Sequence, residues 1–180
     1  MQDVNDDVND IYDYVENEPL HRDARVVRFD PTMTELPYAC CRRLKLMKEV
    51  ILPPGLIRIG KEAFGCCDSM TNITVPATTE VIGKLSFACC EKLPKDFLQN
   101  LPFGLKRIGE EAFHYCISLE GFTIPASVNF MGAYAFAHSG LVEVNLATTL
   151  TLLRVIPSKT FSECVRLQSV AISNSLELIC

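Results

Sequence analysis

The stretch IGEEAFHYCISL, residues 108–119, decides the fold because its pattern returns along the 180-residue chain. The segments LPPGLIRIGKEAFGCCDSM at 52–70 and LPFGLKRIGEEAFHYCISL at 101–119 lie 49 residues apart and share 12 of 19 residues. Such internal self-similarity is the sequence signature of a repeat architecture. We therefore expect an array of stacked units that share one elongated core.

An aromatic residue marks each unit, at spacings of 26, 23, 26, 23 and 25 residues. Five positions before the later anchors stands Ile or Met, four positions before the central ones stands Gly, and a small residue directly precedes the ring. We predict that these rings share a single interior column, with one ring from each coil of the chain. The anchors are Tyr38, Phe64, Phe87, Phe113, Phe136 and Phe161.

Each unit has the pattern of a short strand followed by a corner. MTNITV at 70–75 alternates apolar and polar residues, as a half-buried strand does, and Pro76 then ends it because proline cannot donate a ladder hydrogen bond. A second extended piece such as LIRIG at 56–60 follows, its glycine permits a tight corner, and a helical turn is expected at the ring. One unit cannot bury its apolar face alone, so neighbouring units must stack.

The string Ile-Gly-x-x-Ala-Phe-x-x-Cys-x-x-Leu, followed by an alternating strand and Pro125, resembles the BspA-like class of leucine-rich repeats. Six partial copies keep register across about residues 26–180. The resemblance implies an α/β-type repeat solenoid, a right-handed array with parallel strands on one face and short helical turns or second strands opposite. We assign residues 1–25 to an acidic N-terminal head or linker and residues 26–180 to the solenoid.

Three places depart from the repeat pattern. The unit around Tyr38 is compressed, which is typical of a worn or capping first repeat. Gln99 falls where an inward apolar residue is expected, so we predict an irregular or shifted fourth strand. The last repeat is incomplete at Cys180 and has no polar cap, which favours either a truncated array or edge-to-edge self-association at the C-terminal repeat.

The charge of the chain is concentrated near its start. Residues 1–20 carry −7 and the remainder carries +2, for a formal net charge of −5. We expect a solvated tail, or a tail that docks on a basic partner, and the acidic balance argues against nucleic acid as a partner. The start lacks the features of a signal peptide, and the uncharged stretch 121–142 is too rich in polar residues for a membrane span. These features predict a cytoplasmic or other intracellular location, with an extracellular one as the alternative.

Nine cysteines are present, and five of them follow the aromatic anchors by three residues. Equivalent positions of stacked units lie above one another, so these five predict a ladder of buried thiols, which behave as small hydrophobes. Disulfides between layers are the alternative, since coils ~4.8 Å apart suit the Cα separation of a disulfide. The odd number of cysteines favours free thiols. The sequence contains no C-x-x-C pair, which is the spacing typical of a metal site. The five are Cys41, Cys67, Cys90, Cys116 and Cys164, with Ser139 in that place once, and Cys40, Cys66 and Cys89 precede three of them.

No catalytic or cofactor motif is present in the sequence. The glycine series at 60, 83, 109 and 132 is interpreted as structural, because it lacks the spacing of a phosphate-binding loop. His114 and His138 occupy equivalent loops and are expected to be exposed. Cys116 beside His114 could suggest a thiol nucleophile, but the same cysteine recurs in units without histidine. We therefore expect no enzymatic activity, no cofactor and no metal.

Solenoids present strand-lined surfaces that generally bind proteins. We predict a non-catalytic scaffold that binds a protein partner through this face; the alternatives are a surface that only faces water and, as the resemblance implies, a surface-exposed or secreted BspA-like adhesion or recognition protein. The outward residues are small and mostly uncharged, without the anchors of a tight interface. The candidate face comprises Glu49, Ile51, Asn72, Thr74, Asn100, Thr123, Glu143, Asn145 and Ser169, and the same count makes Leu98, Gly121 and Ala171 outward.

Overall fold

The computed structural model describes residues 11–16, 18, 20–147, 152–172 and 177–179, and these wind into a β-solenoid of about six coils. The described strands are β1 (Ile11–Asp13), β2 (Val26–Arg28), β3 (Glu49–Ile51), β4 (Arg58–Ile59), β5 (Asn72–Ile73), β6 (Val81–Ile82), β7 (Arg107–Ile108), β8 (Gly121–Thr123), β9 (Phe130–Met131), β10 (Glu143–Leu146), β11 (Val155–Ile156), β12 (Ser169–Ile172) and β13 (Leu178–Ile179). Residues 1–10 of the predicted head and Cys180 lie outside the described residues.

The described strands form four parallel sheets along two sides of the core, and the two sheets of each side are together called the first sheet and the second sheet here. The first sheet contains β1-β2-β3-β5 and, beyond one irregular coil, β8-β10-β12. The second contains β4-β6-β7-β9 and the pair β11-β13. The sequence left open whether second strands or short helical turns lie opposite the first sheet, and the structure has second strands there. The one helical segment of the described chain is the 3-10 turn Phe97–Asn100. The right-handed winding stays a prediction.

The register between coils keeps one row of apolar residues inside the first sheet. Val27 is paired with Val50 and Val50 with Ile73, while Phe122 is paired with Val144. All five side chains are buried. Because successive residues of a strand point to opposite faces, their sequence neighbours are turned outward.

The irregular fourth coil has the 3-10 turn in place of a first-sheet strand. Phe97 and Leu98 are both buried there, whereas Gln99 and Asn100 are exposed. A 3-10 turn rotates the chain by about a third of a turn per residue, so two consecutive side chains can enter the core. The irregularity at Gln99 is thus present, but the outward position predicted for Leu98 is wrong.

The interior column consists of stacked phenylalanine rings. Phe64, Phe87, Phe113 and Phe136 are fully buried, and successive ring centroids lie 5.4, 5.4 and 5.3 Å apart. Phe161 continues the stack at 5.7 Å from Phe136 but is only half-buried. The ring spacing is close to the distance between coils, so each layer of the solenoid contributes one ring.

Tyr38 lies outside this column, and its prediction as an anchor is wrong. Its side chain is 61% exposed, and Cys41 takes the equivalent of Phe64 instead. The Cys41 N–H donates to the Ala63 carbonyl at 2.8 Å, just as the Phe64 N–H donates to Ser86 in the next coil. The register of the first coil is therefore set by the residue spacing, which places Cys41 in the ring position, and not by the position of the aromatic residue Tyr38.

The first coil obtains its core ring from elsewhere in the sequence. Phe29 packs edge-on against Phe64 at 6.5 Å, and Tyr14 packs on Phe29 at 4.8 Å. β1 pairs with β2, and an ion pair of 2.7 Å between Arg28 and Asp13 joins the two strands. The described part of the segment assigned to an acidic head therefore includes a strand of the first sheet.

The repeat glycines are required by close approach and not by a left-handed backbone, because no described glycine has a positive φ. The glycines of adjacent coils stack directly, and a Cβ built on Gly109 would stand 2.5 Å from the carbonyl carbon of Gly83. Positive φ values fall instead two residues before and two after the ring, as at Glu62 (59°) and Cys66 (60°). The prediction that these glycines permit a tight corner is therefore wrong, because they serve instead to let adjacent coils approach closely.

Replacing Ser86 by alanine is expected to stabilise the protein by about 1 kcal/mol. Ser86 is fully buried, and its hydroxyl has no hydrogen-bond partner among the described residues. The next coil has Ala112 at this position, so the site accommodates alanine. Urea unfolding would measure the gain. Ser118→Ala is the matched control: its hydroxyl donates to the Leu93 carbonyl at 2.6 Å, so that change should destabilise, and a loss for both variants would contradict the prediction.

Candidate functional site

The candidate site is the outer side of the first sheet, here called the strand face. Eight of the nine residues predicted to form it are exposed, and Glu49 is half-buried. The register places Glu49 beside Asn72, and Glu143 beside Ser169. The eight exposed residues are Ile51, Asn72, Thr74, Asn100, Thr123, Glu143, Asn145 and Ser169.

Depressions lie on the strand face on each side of the 3-10 turn, and a further one of about 500 Å³ at the turn itself is lined by Thr74 and Asn100 among others. The first has a volume of about 460 Å³ and is lined by Glu49, Ile51, Asn72 and Thr74 among others. The second has a volume of about 380 Å³, and its lining includes Thr123, Glu143, Asn145 and Ser169. Eight of the predicted residues are therefore brought together as two groups of four. The 3-10 turn, on which Asn100 lies, stands between the groups.

Gln99 belongs to the second depression, although the sequence pattern placed it on the inner side. Its side-chain amide nitrogen lies 2.9 Å from where a Cβ on Gly121 would stand. Gly121, the residue that a strand would present outward, is buried there. A glycine at an outward strand position is the signal that could have indicated a covering side chain, since glycine marks places of close approach.

Asp13 and Arg28, at the first-coil end of the strand face, pair with each other at 2.7 Å, whereas its two predicted carboxylates are left without ion pairs among the described residues. Neither Glu49 nor Glu143 forms one within the described ranges. On the second sheet, by contrast, exposed ion pairs connect adjacent coils: Arg58 with Glu35 at 3.4 Å, Lys106 with Glu80 at 2.7 Å, and Arg154 with Glu177 at 2.9 Å. The strand face thus offers two carboxylates and a row of neutral hydrogen-bonding groups to a ligand.

The buried cysteines form a ladder of hydrogen bonds inside the solenoid. The thiol of each donates to a backbone carbonyl of the preceding coil: Cys90 to Phe64, Cys116 to Phe87 and Cys164 to Phe136, each at 3.1 Å. Cys67 donates in the same way to the Cys41 carbonyl at 3.0 Å. Ser139 lies in the ladder and contacts the Cys164 thiol at 3.3 Å. The thiol therefore has a structural role in satisfying a carbonyl.

Cys41 is not a rung of this ladder, which corrects the prediction from spacing. It stands in the ring position of the first coil, so the rung equivalent is Leu44. Cys40 consequently lies one position before a ring equivalent, whereas Cys66 and Cys89 lie two positions after one. The eight described cysteines are all free thiols.

The buried thiols are poor candidates for nucleophiles or metal ligands. Burial raises the pKa of Cys67, Cys90 and Cys116 well above the usual range of a thiol, so they stay protonated near neutral pH. No group of three or more His, Cys, Asp or Glu side chains in the described part of the chain is arranged to hold a metal ion.

The two histidines of the central coils form an aromatic cluster on the surface. The His138 ring stacks on Tyr115 at 4.5 Å and meets His114 edge-on at 5.3 Å. Partial burial lowers the pKa of His114. Both histidines are half-buried, not fully exposed as predicted. The Cys116 thiol is turned into the core toward Phe87, so the structure does not assemble a thiol–imidazole pair.

No helix within the described ranges is long and apolar enough to cross a membrane.

Solved structures similar to this one are bacterial leucine-rich repeat proteins. A leucine-rich repeat protein from Bacteroides ovatus has a TM-score of 0.64 and 25% identity, covering 86% of this chain and 47% of its own. A leucine-rich cell surface protein from Faecalibacterium prausnitzii has a TM-score of 0.72 and 25% identity, covering 83% and 39%. The leucine-rich repeat protein of T. pallidum, at 21% identity, shows the same fold with a TM-score of 0.75 over 86% and 73%. The chain spans less than half the length of the first two.

No curated protein matches the chain in sequence. The model of the BspA type leucine rich repeat region matches residues 25–139 and 98–180, with six copies. Those matches extend over the coils that carry the stacked rings and the thiol ladder. The chain therefore belongs to the BspA-type leucine-rich repeat family.

Proposed function

We propose that this chain is a non-catalytic module that binds protein partners through its strand face. The observation that carries the proposal is the exposed outer side of the first sheet, where small hydrogen-bonding residues line a depression on each side of the 3-10 turn beside unpaired carboxylates. Repeat arrays commonly use such extended surfaces to bind proteins. The raised pKa values of the buried thiols and the separation of Cys116 from His114 support a role without catalysis.

The chemistry of the strand face favours a partner that supplies hydrogen-bond donors. Glu49 and Glu143 are acceptors, while Asn72, Asn145 and Gln99 can both donate and accept. The face has no tryptophan and no arginine in the two depressions beside the 3-10 turn, so these lack the residues that dominate tight interfaces. We propose a partner segment with Lys or Arg side chains spaced to reach Glu49 and Glu143, bound with modest affinity.

The proposal is tested with a triple variant of the strand face, Asn72→Lys, Thr74→Lys and Thr123→Lys. A partner recovered with the wild-type array would be purified and its affinity measured by calorimetry. We expect at least tenfold weaker binding by the variant, because three cations repel a basic partner and obstruct both depressions. The matched control places the same charges on the second-sheet side, at Ile57, Asn129 and Ser158. Equal losses in both variants, or none in either, would refute the strand face as the site.

We propose an intracellular location for the array, supported by its eight described free thiols. The second candidate is a cell-surface recognition protein, favoured by the similarity to the Faecalibacterium prausnitzii cell surface protein. A membrane-impermeant amine label applied to intact cells separates the two locations. Labelling of this chain in intact cells would support the surface candidate, whereas labelling only after lysis would support the intracellular one.

We also propose that the C-terminal coil can associate with a second copy of the chain. β12 pairs with β10 on one side, and its inward residues Val170 and Ile172 remain 38% and 48% exposed among the described residues. Exposed apolar side chains beside a strand edge favour strand addition. Sedimentation velocity should show a concentration-dependent dimer that Val170→Lys abolishes. A monomer at every concentration would refute this proposal and leave the strand-face proposal untouched.

A further inference from the structure

Cys66 and Cys89 form a pair of thiols outside the buried ladder. Each follows a stacked ring, Phe64 or Phe87, by two residues, so the two cysteines are equivalent positions of adjacent coils. Their backbones have the same conformation, with φ of 60° and 59°. The Cys66 N–H donates to the Ala88 carbonyl at 2.7 Å, which holds the two corners against each other. The two Cα–Cβ bonds therefore run side by side.

The thiols of this pair lie on adjacent coils and are accessible from the surface. Both residues are half-buried and both are free thiols. They line an open depression of about 470 Å³ together with Arg43, Lys45, Asp68 and Glu91. Coils stacked ~4.8 Å apart fall inside the Cα separations of ~4.4–6.8 Å that a disulfide accepts. The stacking of the two corners therefore permits a disulfide between Cys66 and Cys89.

We propose that Cys66 and Cys89 are a dithiol site that exchanges with a low-molecular-weight disulfide of the glutathione class and closes into an intramolecular disulfide. The Cys66 thiolate attacks one sulfur of the small disulfide, forms a mixed disulfide and releases one small thiolate. The Cys89 thiolate then attacks the Cys66 sulfur, forms the Cys66–Cys89 bond and releases the second small thiolate. The protein loses two protons and two electrons, and the small disulfide becomes two thiols.

The surroundings of the pair determine the pH dependence of this exchange. Burial, followed by the proximity of Cys66, raises the pKa of Cys89 to about 11, so Cys89 supplies little thiolate near neutral pH. Arg43 and Lys45 favour thiolates and an anionic disulfide, while Asp68 and Glu91 oppose them, and Lys45 is already 3.3 Å from Asp68. His138 and Tyr115 follow the pair two and one coils further along the same corner. Since the thiolate reacts, the rate of closure should rise with pH.

The buried pair one residue further on is the internal comparison. Cys67 and Cys90 are also one coil apart, but each thiol donates to a backbone carbonyl in the core, and each residue is fully buried. A small disulfide cannot reach them without unfolding the coil. Selectivity for Cys66 and Cys89 over Cys67 and Cys90 is thus a specific consequence of the geometry.

The test is incubation of the full-length folded protein with oxidised glutathione, followed by peptide mass spectrometry under non-reducing conditions. We expect a linked Cys66–Cys89 peptide pair, a loss of two free thiols, and closure that becomes faster as the pH is raised from 7 to 9. Cys66→Ser should leave Cys89 as a mixed disulfide, and Cys89→Ser should trap Cys66 likewise. Cys40→Ser is the matched control and should close as the wild type does.

Two results would overturn the assignment. In the wild type, stable mixed disulfides at Cys66 and Cys89 without a link between them would show that the sulfurs cannot meet. A link through Cys67 or Cys90, or a rate independent of pH, would show that local unfolding and not the surface pair controls the reaction. Circular dichroism of each variant before oxidation establishes that it is folded, so a failure to fold is separated from a failure to close.

Discussion

Replacing Phe113 by alanine is expected to lower the free energy of unfolding by about 3–5 kcal/mol. The ring is fully buried between Phe87 and Phe136, which stack on it at 5.4 and 5.3 Å with interplanar angles of 4° and 10°. Phe97 of the 3-10 turn meets it edge-on at 6.1 Å. Truncation would open a cavity that spans three coils, and the stacked backbone leaves little room for those coils to collapse into it.

Urea unfolding of the variant and the wild type would measure this loss. Phe103→Ala is the matched control because Phe103 is 93% exposed, and we expect a change within about 0.5 kcal/mol there. Tyr38→Ala should also cost little, since its side chain is 61% exposed and lies outside the column. If Tyr38→Ala lowered the free energy of unfolding as much as Phe113→Ala does, the result would support Tyr38 as the ring of the first coil and contradict the structure.

Replacing Gly109 by alanine is expected to destabilise the protein by about 3 kcal/mol, at the upper end of overpacking costs. A Cβ at this position would stand 2.5 Å from the carbonyl carbon of Gly83 and 2.5 Å from the Lys84 nitrogen. Both obstacles are backbone atoms of the preceding coil, so no side-chain rotation can relieve the clash. The coils would have to separate at the second sheet, where β7 pairs with β6.

The control for this change is Gly55→Ala, because nothing lies within 4 Å of a Cβ built there. Both substitutions restrict the unfolded chain in the same way. Neither glycine has a positive φ in the folded protein, so the two positions differ only in the space available for a Cβ. Thermal unfolding should show a large fall in Tm for Gly109→Ala and little change or a slight rise for Gly55→Ala. A fall of equal size in both would mean that close stacking is not the reason for the glycine.

The repeat order could be predicted from the sequence because each coil repeats the same physical requirement. A buried ring, a small residue before it and an inward strand residue must recur at the coil length, and this recurrence is visible in the letters alone. Tyr38 misled the prediction because Tyr38 and Cys41 imitate the Phe-x-x-Cys spacing. The decisive sign was the series Leu36, Cys41, Leu44 and Met47, whose spacing matches that of Ile59, Phe64, Cys67 and Met70.

The strand face could be predicted from alternation wherever a strand forms. Alternation fails at the fourth coil, because Phe97 and Leu98 together bury more apolar surface in a 3-10 turn than a strand would allow. This tertiary preference has no local sequence signal beyond the displaced Gln99. The left-handed corners were equally hidden, since residues such as Glu62 and Tyr115 occupy them without glycine or asparagine.

The positive φ values at these corners affect how the solenoid unfolds. Twelve described residues other than glycine adopt a positive φ, and such a conformation costs roughly 1–2 kcal/mol per residue. At the corners of Glu62 and Cys66, the N–H groups donate to Lys84 and Ala88 of the following coil, and the other corners between Ala39 and His138 repeat this arrangement. When the neighbouring coil unfolds, these hydrogen bonds are lost, and the corner residues relax toward negative φ values. Denaturation should consequently be cooperative across several coils, with no single repeat persisting as an independent folding unit.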